Sequence, residues 1–252
     1  MNSIHPEQLT NDLVAFLKTA FAKAGFTNAV IGLSGGVDSA ASAALAVRAL
    51  GTDHVYPVLM PYGPLSAYAT INATEVVGAL GVNSFHVTRI DIKPILESLM
   101  AKDPGMDNIR RGNLMARARM MILYDQAKKR QALVVGTENK TEYLLGYFTR
   151  FGDEASDIEP LRSLYKTQVY ELAQYLKLPD VVLSGAPTAG LWEGQTDEGE
   201  FGFTYRDADH ILYQYADEKK TEEKIVGDKT VIQKVLARAK ANDFKHRLPI
   251  LP

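Results

Sequence analysis

Cysteine is absent from the 252-residue sequence. Its absence excludes disulfides, thiolate metal sites and every mechanism that uses a cysteine nucleophile. An excess of positive charge is missing too, because 30 Asp and Glu balance 28 Lys and Arg, so no overall basic field exists to bind nucleic acid or an anionic membrane. No apolar run approaches the roughly 20 residues that span a bilayer, and no signal peptide is recognised after Met1. We expect a cytoplasmic protein without nucleic-acid or membrane partners.

The composition is that of a folded protein. Hydrophobic residues make up 46% of the chain and charged residues 23%, proportions that are typical of a globular protein with a large core. The chain has no internal repeat, low-complexity segment or convincing linker. The simplest prediction is one domain spanning residues 1–252.

Short apolar runs alternate with segments of helical periodicity along most of the chain. The predicted strands are 29–33, 55–60, 84–90 and 132–136, and the predicted helices are 6–24, 38–50, 67–80, 112–129 and 166–176. This alternation predicts an α/β fold with a doubly wound parallel sheet flanked by helices. The charged residues from Arg206 onward predict a helical C-terminal part. Segments 137–164 and 184–205 lack clear periodicity, which is typical of functional loops, and we expect the second to be mobile.

One glycine-rich segment lies between a predicted strand and the start of a predicted helix. Its residues are Gly32, Leu33, Ser34, Gly35, Gly36, Val37, Asp38 and Ser39. Glycines let the backbone approach a ligand, and a helix N-terminus favours an anion, so the segment is a candidate phosphate loop. It is neither a Walker A loop nor a GxGxxG fingerprint, which leaves ordinary P-loop hydrolysis and hydride transfer unsupported. A purely structural turn stays open as the alternative.

The Ser34-Gly35-Gly36-Val37-Asp38-Ser39 run resembles the SGGxDS loop of the N-type ATP pyrophosphatases, which cleave ATP between the α and β phosphates and transfer AMP. Within that superfamily the chain is similar to the ammonia-dependent NAD synthetases, from its opening helix to Leu248-Pro249. The motifs that carry this similarity are Met60-Pro61-Tyr62-Gly63, Gly112-Asn113 with Arg117 and Arg119, Gly136-Thr137-Glu138-Asn139 with Glu142, Gly146-Tyr147-Phe148-Thr149-Arg150-Phe151-Gly152-Asp153, and Pro187-Thr188-Ala189-Gly190-Leu191-Trp192. The resemblance implies the adenine nucleotide α-hydrolase-like fold.

The same resemblance implies an activity. It is the ATP-dependent amidation of deamido-NAD with free ammonia to NAD, through an adenylated intermediate, with release of AMP and pyrophosphate. Glutamine-dependent relatives liberate ammonia with a cysteine nucleophile, a route that is closed here. The implied substrates are deamido-NAD, ATP and ammonia, and the implied assembly is a homodimer.

The family pattern also implies which residues bind Mg²⁺ and ATP. The metal is assigned to Asp38 and Glu142, whose hard carboxylate oxygens suit Mg²⁺. ATP is assigned to residues 32–39 with Thr137, Lys166 and Thr188, and the catalytic groups to Asp38, Lys166 and Asp153. Taken alone, Asp38 also fits a helix N-cap, Glu142 a surface acid and Thr137 a turn hydroxyl.

For deamido-NAD the family pattern implies a separate set of residues. They are Asn113, Arg117, Tyr147, Arg150, Asp157 and Lys245, with Tyr147 placed to stack on the pyridine ring. Taken alone, Arg117 also fits an exposed basic helix face and Tyr147 a core aromatic. Two positions depart from the family pattern, which often has Lys at Arg150 and a His-Lys pair at Phe244-Lys245.

Two other functions stay open. The first is another adenylating amidotransferase with an SGGxDS loop, such as a GMP synthetase, an asparagine synthetase or a tRNA-modifying enzyme. The second is a non-catalytic ATP-binding sensor, because a fold does not fix a function. A sensor binds ATP and releases no pyrophosphate.

Overall fold

The centre of the fold is a parallel sheet in the computed structural model, which describes residues 4–247. Its strands are β1 (Asn28–Gly32), β2 (Val55–Leu59), β3 (Thr88–Arg89) and β4 (Ala132–Val135), in the order β3-β2-β1-β4. In β1, Ile31 pairs with Pro57 of β2 on one side and with Val135 of β4 on the other. This central strand is a continuous apolar run because helices cover both faces of the sheet.

Helices flank the sheet and extend beyond it. Their bounds are α1 (Pro6–Ala24), α2 (Val37–Leu50), α3 (Ala67–Ala79), α4 (Lys93–Met100), α5 (Asn108–Arg130), α6 (Lys140–Leu145), α7 (Lys166–Tyr175), α8 (Asp180–Leu183), α9 (Asp197–Phe201), α10 (Tyr205–Leu212) and α11 (Lys229–Asn242). The predicted doubly wound α/β fold with a helical C-terminal part is confirmed. None of the helices within residues 4–247 combines the length and apolar character needed to cross a bilayer.

Successive residues of β1 point to opposite faces of the sheet and join different cores. Ala29 and Ile31 pack into a core with α1, α2 and α7, whereas Val30 packs with α4 and α5 on the other face. A third apolar cluster lies in the C-terminal part, where α6, α10 and α11 pack around Tyr165, Phe201 and other buried side chains. The prediction of one domain over residues 1–252 stays a prediction.

Local structure differs from the sequence-based expectation in three places. The strand predicted at 84–90 is shorter, because the Asn83 side chain accepts a hydrogen bond from the Phe85 N–H and starts a 3₁₀ turn at Ser84–His86. Helix α4 was not predicted, although Leu96 and Met100 form its buried stripe. The two irregular segments contain the short helices α6 and α9. The Leu248-Pro249 end of the family resemblance lies outside the described residues.

The order of the strands fixes where a ligand can bind. The chain runs outward from β1 to β2 and β3, and then returns to place β4 on the opposite side of β1. In open parallel sheets, ligands bind at the carboxyl ends of the strands where the order reverses. Here that point lies between Gly32, which ends β1, and Gly136, which follows β4. The glycine-rich loop 32–39 is therefore at the position where this fold binds ligands.

Gly35 gives a test of the loop's conformation. Its φ is +84°, and a Cβ atom built there would lie 2.2 Å from the Ala69 carbonyl oxygen of α3, whereas a Cβ at Gly36 would meet only the Ser34 Oγ, at 3.5 Å. We expect Gly35→Ala to lower the free energy of unfolding by at least about 2 kcal/mol, from backbone strain and the clash. Gly36→Ala, the matched control, should cost less than about 1 kcal/mol. Chemical denaturation measures both, and equal stabilities of the two variants would contradict this account.

Candidate functional site

A cavity of about 630 Å³ opens at the carboxyl ends of β1 and β4. Its walls come from loop 32–39, the residues after β4, α5, segment 146–155, loop 185–197 and α11. Most of the residues predicted from the sequence line it together: Gly32, Leu33, Ser34, Gly35, Gly36, Val37, Asp38, Ser39, Asn113, Thr137, Glu142, Tyr147, Asp153, Lys166, Thr188 and Lys245. The predicted residues Arg117, Arg150 and Asp157 do not line it.

The glycine-rich loop is held by hydroxyl groups of its own serines. The Ser39 Oγ donates to the Gly36 carbonyl at 3.0 Å and accepts from the Ser34 N–H at 3.2 Å. This ties the turn to the start of α2, whose first residue is Val37. The first N–H groups of a helix have no partner within it, so α2 presents donors and a positive dipole end to the cavity.

Asp38 lies in the first turn of α2 but does not cap it. The N-cap is Gly36, and no side chain caps this helix. The Asp38 carboxylate instead points across the cavity, where Oδ1 accepts from the Asn139 amide at 2.8 Å and Oδ2 from the Lys166 ammonium at 2.5 Å. The N-cap alternative for Asp38 is therefore wrong.

Lys166 binds two carboxylates at once. Its Nζ also lies 3.1 Å from Glu142 Oε1, and its side chain is only 4% exposed. Glu142 is placed by a capping box at the start of α6, in which the Asn139 side chain accepts from the Glu142 N–H. The Lys166 N–H donates to the Thr141 Oγ1, so the starts of α6 and α7 are joined. Glu142 is not a free surface acid.

Charge pairing and burial act against each other in this cluster. Burial raises the pKa of Glu142, the Lys166 ammonium opposes that rise, and the Asp38 carboxylate adds to it. Burial disfavours the charged form of Lys166, but Asp38 and Glu142 overcome this effect and hold its pKa above the ordinary value. Lys166 is therefore a cation at neutral pH.

The donor set fits a magnesium ion that arrives with a phosphate ligand. No group of three or more His, Asp or Glu residues within 4–247 is arranged to hold a metal by itself. Two carboxylates nevertheless converge here against one ammonium, which leaves one uncompensated negative charge when both are ionised. Mg²⁺ typically takes one or two carboxylates and completes its shell with water and substrate phosphates.

The loop that carries Thr188 is tied to the C-terminal core through Asp197. Asp197 Oδ1 accepts from the Tyr147 hydroxyl at 2.9 Å and from the Ala189 N–H at 3.1 Å, and Oδ2 accepts from the Tyr205 hydroxyl at 2.9 Å. The Thr188 Oγ1 donates to the Gln195 carbonyl within the loop. Sequence reasoning missed Asp197, because nothing in its local sequence distinguishes it from a surface acid.

Comparison with known proteins identifies the family. The NAD synthase family model matches residues 9–249. The chain belongs to the NAD synthase family. The NH(3)-dependent NAD(+) synthetase of Fusobacterium nucleatum subsp. nucleatum is 42% identical over 97% of this chain and 95% of the relative. The family predicted from the motifs is confirmed.

Two solved structures resemble the whole chain. The NMN synthetase from Francisella tularensis has a TM-score of 0.87 and 34% identity, with 99% of each chain covered. The NH3-dependent NAD synthetase from Campylobacter jejuni, in complex with the nitrate ion, has a TM-score of 0.84 and 28% identity, covering 99% of this chain and all of that one. Both similarities extend over the sheet and the helical C-terminal part.

The remaining residues that were predicted from the sequence lie in two places. Asp153 lines the cavity, where its Oδ1 accepts from the Thr149 N–H at 2.9 Å and the Thr149 hydroxyl donates to Asn113. Desolvation raises the pKa of Asp153, against the Thr149 hydrogen bonds and the Arg119 charge. Lys245 also lines the cavity, and its Nζ donates to the carbonyls of Gly146 and Phe148.

The predicted substrate residues outside the cavity contact the protein backbone. Arg117 is exposed on α5 and donates twice to the Arg150 carbonyl, at 3.3 Å. The Arg150 guanidinium donates to the Arg247 carbonyl, and Asp157 Oδ2 accepts from the Val134 N–H of β4. Arg117 and Arg150 are thus neighbours outside the lining of the cavity. Their roles in binding stay predictions.

Removal of the Lys166 cation from its cluster with Asp38 and Glu142 should destabilise the protein by an amount that depends on pH. Lys166→Met leaves Asp38 and Glu142 without a counter-ion and should lower the free energy of unfolding by about 3 kcal/mol at pH 9.5. Burial already raises the pKa of Glu142 to about 8, and loss of the ammonium should raise it further, so above pH 8 the variant continues to lose stability while the unsubstituted protein no longer does. The deficit should therefore shrink at pH 7.

Urea denaturation at the two pH values measures this effect. Lys23→Met, which removes an exposed cation near the end of α1, is the control and should change stability by a few tenths of a kcal/mol at either pH. A deficit for Lys166→Met that does not change with pH would show that the carboxylates do not depend on the lysine.

Proposed function

We propose that the protein converts deamido-NAD to NAD with ATP and free ammonia, through an adenylated intermediate, and releases AMP and pyrophosphate. One observation carries this proposal. The phosphate loop, the Asp38–Lys166–Glu142 cluster and Asp153 line one cavity at the point where the strand order reverses. Membership of the NAD synthase family supports the choice of substrates.

The first step activates a poor electrophile. An oxygen of the nicotinate carboxylate attacks the α-phosphorus of ATP, the bond to the β-phosphate breaks, and pyrophosphate leaves. Negative charge develops on the leaving group, and preorganised positive groups stabilise it. The Lys166 ammonium and the N-terminus of α2 supply that charge on one wall of the cavity.

We assign the binding of Mg²⁺ to Asp38 and Glu142. When bound, this ion neutralises charge on the triphosphate of ATP. The Asn139 amide holds Asp38 Oδ1, and the capping box holds the start of the helix that carries Glu142. The two carboxylates are thereby oriented before any ligand arrives.

The second step forms the amide. Bound ammonium gives one proton to a carboxylate, the resulting ammonia attacks the carbonyl carbon of the adenylate, AMP leaves, and the new nitrogen loses a second proton to water. We assign Asp153 to hold ammonium and accept its proton, because desolvation raises the pKa of Asp153 and makes its ionised carboxylate a stronger base. The Thr149 N–H fixes the orientation of the carboxyl.

A direct assay tests this function. The protein is incubated with ATP, Mg²⁺, ammonium and deamido-NAD, and NAD, AMP and pyrophosphate are measured. We expect the three products in equal amounts, and no NAD when glutamine replaces ammonium. Nicotinate mononucleotide serves as a competing substrate, since one structural neighbour is named an NMN synthetase. ATP binding without pyrophosphate release would identify a sensor, and preference for the mononucleotide would overturn the assignment of deamido-NAD.

Asp38→Asn tests the proposed metal ligand. The amide can still accept from Asn139, so we expect an intact fold, but loss of one charge should lower turnover at least about a hundredfold. Asp53→Asn changes an acid in the short turn before β2 and is the control, with activity close to the unsubstituted protein. Near-normal pyrophosphate release by folded Asp38→Asn would remove Asp38 from the metal site.

We also propose a homodimer. Large apolar side chains are exposed on α3 and α5 and next to Arg150: Tyr68, Ile71, Ile109, Met121 and Phe151. Side chains of this kind form an apolar patch where they lie together, and such patches are typical of protein interfaces. Arg117 lies on the same helix as Ile109 and Met121, which puts part of the predicted dinucleotide site close to the proposed interface.

Sedimentation at micromolar concentration measures the assembly. We expect twice the mass of one chain for the unsubstituted protein and a shift toward the monomer for Ile109→Asp, because a buried carboxylate disfavours association. Val226→Asp, at a residue with the same 68% exposure in a C-terminal loop, should stay dimeric. A fully active monomer would contradict the proposed homodimer.

A further inference from the structure

Arg238 is a cation on the cavity wall to which the chemistry above gives no role. It projects from α11, and its guanidinium carbon lies 4.6 Å from the ring centre of Phe201 and 5.2 Å from that of Tyr147. Contact with two aromatic rings holds a guanidinium in place without using its N–H donors. The side chain is therefore fixed at the edge of the cavity with its hydrogen-bonding capacity still free.

The part of the chain that the structure describes gives this guanidinium no acceptor. Its Nε is buried without a hydrogen-bond partner, and no carboxylate within residues 4–247 forms an ion pair with it. Lys166, by contrast, binds two carboxylates, and Lys245 binds two carbonyls. A buried donor without an acceptor is costly, which points to a ligand as the missing partner.

The nearest acids are already engaged. Both oxygens of Asp197 accept hydrogen bonds from the tyrosines and from Ala189, and Glu200 Oε1 accepts from the Gln195 amide. Burial and the Arg238 charge together lower the pKa of Lys245, so the two cations lie close enough to repel each other. An anion between them would relieve this repulsion.

The position of Arg238 relative to Lys166 limits the class of ligand that Arg238 can bind. The Lys166 Nζ lies 5.0 Å from the centre of the Tyr205 ring, and Asp197 joins Tyr205 to Tyr147, on which Arg238 packs. Two cations thus lie at the two ends of one hydrogen-bonded wall. Both cations line the same cavity, which suits a ligand that carries more than one phosphate group.

We propose that Arg238 binds a phosphate of a diphosphate group, with its guanidinium fork donating two hydrogen bonds to the phosphate oxygens. This inference rests on the proposed function, which supplies two sources of that group. One is the pyrophosphate part of ATP, and the other is the diphosphate bridge of the dinucleotide. Arg238 is then a binding residue for the reaction, in addition to those predicted from the sequence.

Arg238→Gln tests the proposal, because it keeps most of the stem against the rings and removes the charge and the fork. Calorimetry with inorganic pyrophosphate and with ADP-ribose measures the two sources separately and needs no turnover. We expect affinity for one of the two to fall at least about tenfold, and the one that falls identifies the source. Lys240→Gln, at an exposed lysine on the same helix that pairs with Glu222, is the matched control and should bind both as the unsubstituted protein does.

The possible results for the Arg238 variants distinguish a role of Arg238 in ligand binding from a role in packing against the aromatic rings. If Arg238→Gln melts at a lower temperature but binds both probes normally, Arg238 only clamps the rings and the proposal is overturned. If Arg238→Gln does not fold, Arg238→Lys keeps charge and stem without the fork and should bind one probe about threefold more weakly; unchanged affinity overturns the proposal. Failure of the unsubstituted protein to bind either probe also overturns it, whereas the NAD assay tests the proposed function independently.

Discussion

The ion pairs of Lys166 with Asp38 and Glu142 are the interaction on which the rest of the site depends. They join the first turn of α2, the first turn of α6 and the start of α7, so one buried ammonium links the sheet to the C-terminal core. A buried charge is stable only when it is paired, and its loss leaves the partners uncompensated. The same ion pairs therefore stabilise the fold and determine the charge of the cavity.

The cavity differs in charge from one end to the other. Asp38 and Glu142 surround Lys166 with an excess of negative charge at one end, whereas Arg238 and Lys245 are cations at the other end. A triphosphate with a divalent cation suits the first end, and a bare diphosphate suits the second. Asp197 connects them through two tyrosine hydroxyls, and the same carboxylate holds the loop that carries Thr188. The position of that loop and the hydrogen bonding between the two ends of the cavity thus depend on the same carboxylate.

The sequence alone could predict those features of the fold that depend on the spacing of nearby residues. The glycine-rich loop, its strand and its helix follow from a few consecutive residues, and the strands of the central sheet follow from short apolar runs. The role of Asp38 required the fold, because an acid at a helix start also fits an N-cap until Lys166 is found beside it. The short β3 depends on a side-chain hydrogen bond in the preceding turn, and the unpredicted α4 depends on packing. Hydrophobic periodicity indicates neither of these. Arg238 belongs to a charged helix and is distinguished only by Phe201 and Tyr147, which are distant in sequence.

The placement of Arg117 and Arg150 bears on how a dinucleotide is accommodated. Arg117 and Arg150 lie outside the lining of the cavity of about 630 Å³, so a dinucleotide that contacts them must extend beyond it. It would then reach the surface where Arg117 contacts Arg150 and where Met121 and Phe151 are exposed. In the homodimer that we propose, this surface is covered, so the second chain supplies the remaining wall. Substrate binding and subunit association would then stabilise each other, since each buries apolar and charged groups that the isolated chain leaves in water.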